Sequence, residues 1–224
     1  MYPVLGILTP LPPQEWLNYL GRRAETGHKC RNFKIIIRSV IPHQRPAMLK
    51  PTPIASNPVH RGRVIEVSTE VLRYANGRDH ELDFVRHPGA AAVVAVDEAD
   101  RVCFVRQYRH GIADFLWEIP AGKLDSGEAP AVCAVRELAE ETGVTARNWT
   151  AMGVYLPAPG IFTEVIHLYL ARDLDIGVAA PDVDEELELE WLPLNEAIGR
   201  VQRGDWNDGK TAMALMRAQY HLQL

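Results

Sequence analysis

The stretch "GKLDSGEAPAVCAVRELAEETGV", Gly122 to Val144, decides how the rest of the chain is read. Pro130 suits a first helical turn, and Gly143 suits the left-handed residue that ends a helix. A helix is therefore predicted between them. At about 100° per residue, Glu141 falls roughly +40° and Glu140 roughly −60° from Glu137, so the three acids share one wedge. Ala131, Val135, Leu138 and Thr142 fall on a different side, predicted to pack on a sheet. Arg136 and Glu140 are spaced i,i+4 and can pair. One arginine does not balance three acids. Either the wedge is a solvated surface face, or a hard divalent cation with oxygen ligands supplies the counter-charge.

The flanks alternate between strand and helix patterns. Upstream, "RVIEVSTEVLRY" and "ELDFVRH" read as two strands about the turn signal Asn76-Gly77. "AAAVVAVDEADRVCFVRQYR" reads as two apolar strands about a turn at residues 97–100. Downstream, "WTAMGVYL" and "EVIHLYLARDL" are strand candidates joined by the loop "PAPGIFT". "LELEWLPL" alternates and stops at Pro193, and "NEAIGRVQRG" and "TAMALMRAQYHL" read as closing helices. Strands, helix, strands, helices make an α+β chain.

Composition excludes several classes. The 224 residues are 47% apolar and 24% charged, as in an ordinary globular protein. No run of about 18 apolar residues is present, so no transmembrane helix and no membrane partner are expected. The net charge of −5 is too mild to argue for nucleic acid. Cys30, Cys103 and Cys133 are odd in number and widely spaced, which suits reduced thiols and a cytoplasmic location. Residues 1–50 differ from the rest: eight Lys/Arg stand against two Asp/Glu, with six prolines between Pro3 and Pro46. Residues 1–57 are expected to be a poorly ordered extension, with Met48 as an alternative start. Residues 58–88 are expected to form an antiparallel sheet, and 89–224 the main domain.

Gly122, then five residues, Glu128, then seven, then Arg136-Glu137-Leu138-Ala139-Glu140-Glu141-Thr142-Gly143-Val144 matches G-x5-E-x7-R-E-U-x-E-E-x-G-U at every position. Seven fixed letters would arise by accident with odds on the order of one in 10⁸. The chain resembles the Nudix hydrolases, which cleave nucleoside diphosphates linked to another group with Mg²⁺ or Mn²⁺. "VRQYR" (105–109), "WEIPAGKLDSGE" (117–128), Pro159 sixteen residues past Gly143, and "GDWNDGKTAMAL" resemble the ADP-ribose pyrophosphatase branch. The resemblance spans roughly residues 60–224. It implies an α/β/α sandwich around a mixed sheet, with the antiparallel N-terminal sheet used in a homodimer.

The resemblance also implies roles. Glu137, Glu140, Glu141 and the carbonyl of Ala121 would hold metal, with Arg136 orienting a glutamate. Glu128 is better explained by structure, as an acid near a helix start, than by chemistry. The general base would sit in "PDVDEELELEWLPL": Glu185 is the first choice, also at the metals, with Asp182, Asp184 and Glu186 as rivals. The family often has an acid where this chain has Val183. Arg109 would contact the diphosphate or the adenosine half. Glu118, Arg86 and Pro159 are further candidates for substrate binding, while Trp117 and Tyr108 fit core packing better than stacking on adenine. The implied reaction is hydrolysis of ADP-ribose to AMP and ribose 5-phosphate. GDP-mannose or another nucleotide sugar is the rival substrate. A non-catalytic ADP-ribose sensor is disfavoured, because about 30 residues after Pro193 are too few for the winged helix of such proteins.

Overall fold

A computed structural model describes residues 48–179 and 186–223. Ten strands and three helices lie among them. Strands β1 (Thr52–Arg61), β2 (Glu66–Arg73) and β3 (Asp79–Arg86) form one antiparallel sheet. The β2–β3 hairpin turns at Gly77, whose φ of 77° suits glycine. Strand β1 was not legible, and the boundary drawn after residue 57 falls inside it. Its prolines are the reason. Pro53 and Pro58 sit where the β1–β2 register shifts, on an exposed edge that tolerates a missing N–H donor.

The main body holds two further sheets. One has the order β7 (Ala121–Lys123), β4 (Ala90–Ala95), β9 (Ile166–Ile176), β8 (Val144–Tyr155). β4 and β9 run parallel and the other pairs antiparallel, so this sheet is mixed. The other has the order β10 (Glu188–Pro193), β5 (Arg101–Arg109), β6 (Asp114–Glu118), all antiparallel. Helix α1 (Pro130–Thr142) covers one face of β4, and α3 (Gly209–Leu222) covers the other, beside α2 (Leu194–Arg203). This is the expected sandwich.

The central strand, AAAVVA, is buried on both faces. Ala90, Ala92 and Val94 join Ala214, Leu215 and Ala218 of α3 in one core. Ala91, Val93 and Ala95 join Cys133, Ala134 and Leu138 of α1 in the other. A strand buried on both sides reads as a continuous apolar run, and this one does. Truncating a fully buried leucine such as Leu138 costs about 2–5 kcal/mol.

Helix α1 starts and stops where expected. Pro130 follows the N-cap Ala129, and Gly143 takes φ 70° and donates its N–H to the Ala139 carbonyl. Its buried face differs from expectation. Ala131 and Val135 are exposed, and the face that meets the sheet is Cys133, Ala134, Leu138, Glu141 and Thr142. The helix is rotated so that one of the three acids, Glu141, is buried with the core face. β6 and β7 were also unforeseen, because the Ile-Pro-Ala-Gly break between them reads as loop.

Candidate active site

A cavity of about 680 Å³ opens between α1, the ends of β5 and β6, and the start of α3. That volume is ordinary for a small-molecule site. Its two sides have opposite character.

The first side is the helix wedge. Arg136 donates to Glu128 (2.9 and 3.0 Å), to Glu137 (2.8 Å) and to Glu140 (2.9 Å). The Glu128 bond, ahead of Glu137 and Glu140, holds the Arg136 guanidinium well above the ordinary arginine value. In return, Arg136 pulls the Glu128 carboxyl down to about 2, helped by the Asp125 backbone N–H. Glu128 is therefore engaged as an anchor for Arg136. Glu141 is only 3% exposed, and its Oε2 accepts the Ala121 N–H at 3.0 Å. Gly122 is required by close approach: a Cβ there would lie 1.9 Å from the Glu137 carboxylate. The helix thus lays Glu137 directly over the β7 backbone, next to Ala121.

The second side is a network of paired charges. Arg109, at the end of β5, donates through Nε to Glu118 at 2.7 Å. Glu118, at the end of β6, also accepts from Lys210 in the first turn of α3. Arg109 and Lys210 line the cavity here, while Lys123 of β7 lines it from the α1 side. His87 and Glu164 also line the cavity, 3.5 Å apart. The Gly89 N–H donates to His87 Nδ1 at 3.1 Å, and burial pulls this imidazole below the usual histidine value, with Glu164 opposing.

The sequence candidates divide between this cavity and other places. Ala121, Glu118, Arg109, Glu137 and Glu140 all line the cavity. Arg86 is not among the lining residues. It pairs with Glu70 and Ser68 and lies 5.0 Å over the Phe84 ring. Pro159 is exposed on the 156–165 loop, while Pro157 and Glu164 of the same loop reach the cavity. Trp117 packs on the core, but Tyr108 is 48% exposed, edge-on to Phe115. Glu185, Asp182 and Asp184 lie outside the described residues, and Glu186 is exposed before β10.

A family model described as the NUDIX domain matches residues 85–215. The chain belongs to this family. The ADP-ribose pyrophosphatase of Bacillus subtilis is 36% identical over 74% of this chain and 91% of its own. The methanol dehydrogenase activator of Bacillus methanolicus shows the same identity and the same coverage. A crystal structure of an ADP compounds hydrolase superposes with a TM-score of 0.70 and 26% identity, covering 80% of this chain and 97% of that one.

Nudix hydrolases act with divalent metal ions, and the donor chemistry on the helix side fits one. The donors are carboxylate oxygens, which suit hard cations. The neighbouring thiol is unsuited: burial pushes Cys133 up to about 12. With Arg136 holding Glu137 and Glu140, no three such side chains converge on one point among the described residues. A cation would compete with the guanidinium for these two acids. Sequence reasoning missed His87, Glu164, Asp208 and Lys210 in this Nudix site. Only the last pair had a local signature, an Asp two residues before a Lys at a predicted helix start.

Proposed function

We propose that the protein hydrolyses the pyrophosphate bond of ADP-ribose, giving AMP and ribose 5-phosphate, with Mg²⁺ as its usual cation and Mn²⁺ as a substitute. One observation carries this reading: a single cavity brings Glu137 and Glu140 together with the cationic side chains of Arg109 and Lys123. A diphosphate needs both, cations to bind its oxygens and carboxylates to hold a metal at the bond that breaks.

Glu137, Glu140, Glu141 and the Ala121 carbonyl would hold the metal, which when bound neutralises phosphate charge and lowers the pKa of water. Arg136 keeps the glutamates oriented between turnovers. Arg109 binds phosphate oxygens, and Glu118 fixes its guanidinium. Glu185 takes the proton of the attacking water. That water's oxygen bonds to one phosphorus as the bridging P–O bond breaks, and the bridging oxygen leaves with the other phosphate. Arg86 and Pro159, which do not line the cavity, would contact substrate only beyond it, from the sheet and the 156–165 loop. In this reading residues 58–88 form a dimerisation element that pairs with a second copy of the chain, and the exposed edge strand β1, which runs into this element, supports that. A cytoplasmic location is consistent with the buried free thiols Cys103 and Cys133. Among the described residues, no helix is long and apolar enough to cross a membrane.

The test is a panel of nucleoside diphosphate sugars, GDP-mannose included, with Mg²⁺ in ¹⁸O-water, products read by mass spectrometry. ADP-ribose is expected to give the highest kcat/KM, with one ¹⁸O in AMP or ribose 5-phosphate. A folded protein that cleaves none of the panel overturns the proposal, and a preference for GDP-mannose moves the substrate.

A further inference from the structure

We propose that Lys210 is a positioning residue for Arg109, acting through Glu118 across 92 residues of sequence. This rests on the reading of Arg109 as the phosphate ligand.

The two oxygens of Glu118 are divided. Oε1 takes the Lys210 ammonium, and Oε2 takes both Nε (2.7 Å) and Nη2 (2.6 Å) of Arg109. Glu118 is 3% exposed and Lys210 9%, whereas the Arg109 side chain is 41% exposed and lines the cavity. Lys210 is held in turn by Asp208, the N-cap of α3, at 3.0 Å. Asp208 also accepts from the N–H and hydroxyl of Thr211, at 2.9 and 2.6 Å. The Thr211 hydroxyl accepts the N–H of Ile119, next to Glu118, at 3.0 Å. The start of α3 is thereby fastened to the end of β6 at two successive residues.

Lys210, Arg109, Glu118 and Asp208 carry two positive and two negative charges. The ammonium lies between two carboxylates, so little of its field is left for a substrate anion. Its effect is on Glu118. With Oε1 occupied, Glu118 can grip Arg109 through one oxygen only. Without Lys210, the carboxylate is released to turn both oxygens onto Arg109, the bidentate geometry that guanidinium–carboxylate pairs favour. Arg109 would then be rotated and more fully paired, with less capacity for a phosphate.

The test uses the full chain with ADP-ribose. Lys210→Met is expected to raise KM about tenfold while kcat stays within about threefold, and Lys210→Arg to restore most of the loss. In an Arg109→Ala background the same change is expected to add nothing. The Arg109 Nε–H resonance, assigned with Arg109→Lys, is expected to shift in Lys210→Met. If Lys210→Met does not fold, Lys210→Gln, which keeps a donor toward Glu118, is expected to show a smaller KM rise and shift of the same kind. An equal fall in kcat, an additive effect on Arg109→Ala, or an unmoved Arg109 signal overturns the proposal. A wild type inert toward ADP-ribose would instead overturn the substrate reading, and the resonance test of Lys210 would still stand.

Discussion

The two sides of the cavity manage charge in opposite ways. Along α1 and just before it, Glu128, Glu137 and Glu140 all accept from one guanidinium, that of Arg136. Across the cavity, Arg109, Lys210, Glu118 and Asp208 are matched one for one and mostly buried. A surplus of acid beside an opening is costly unless a mobile cation completes it. A balanced, buried network needs no partner and is suited to holding geometry. Under the proposed function, the imbalance marks where a metal would be held, and the balance marks where a ligand would be aimed. The acid side should therefore govern kcat, and the paired-charge side KM.

The strongest challenge to this division is Glu137→Gln, expected to lower kcat by about 10³-fold with little change in KM, the scale of losing a charge-stabilising group. Steady-state kinetics in Mg²⁺ check it, and a loss confined to KM would break the contrast. Glu185→Gln is expected to lower kcat by roughly 10²-fold, the scale of a lost general base. An unaffected turnover would pass that role to Asp182, Asp184 or Glu186. Arg109→Ala is expected to raise KM by about 10- to 100-fold with kcat within a few-fold, as the loss of a charged hydrogen bond to phosphate implies. The smallest effect is on acid stability. Glu128 has its pKa lowered from 4.5 to about 2 by the Arg136 bond. Because the folded pKa lies below the unfolded one, its contribution is present above about pH 4.5 and fades as pH falls toward 2. Urea unfolding across that window should lose part of its pH dependence in Glu128→Gln.

Local chemistry was the legible part. Pro130 and Gly143 bracket α1 because a ring-fixed φ and a left-handed residue act within one turn. Asn76-Gly77 marked its hairpin for the same reason. The buried face of α1 was misread at Ala131 and Val135, since periodicity gives which residues share a side, while the sheet decides which side is covered. β1 was hidden by its prolines, and β6 and β7 by the turn that joins them. Glu137 and Glu140 could be placed together from spacing. Lys210 could not be placed against Glu118, because that pairing exists only once α3 docks on β6. Partners far apart in sequence leave no periodic trace.

The alternating small residues of β4 have one more consequence. Its methyl and isopropyl groups are the spacers between the two helical layers, Ala92 toward α3 and Ala91 toward α1. The gap from the acidic helix to the paired-charge network is thus gauged by the thickness of a few alanines. A leucine in place of either would wedge the layers apart and widen the slot, although neither residue lines the cavity.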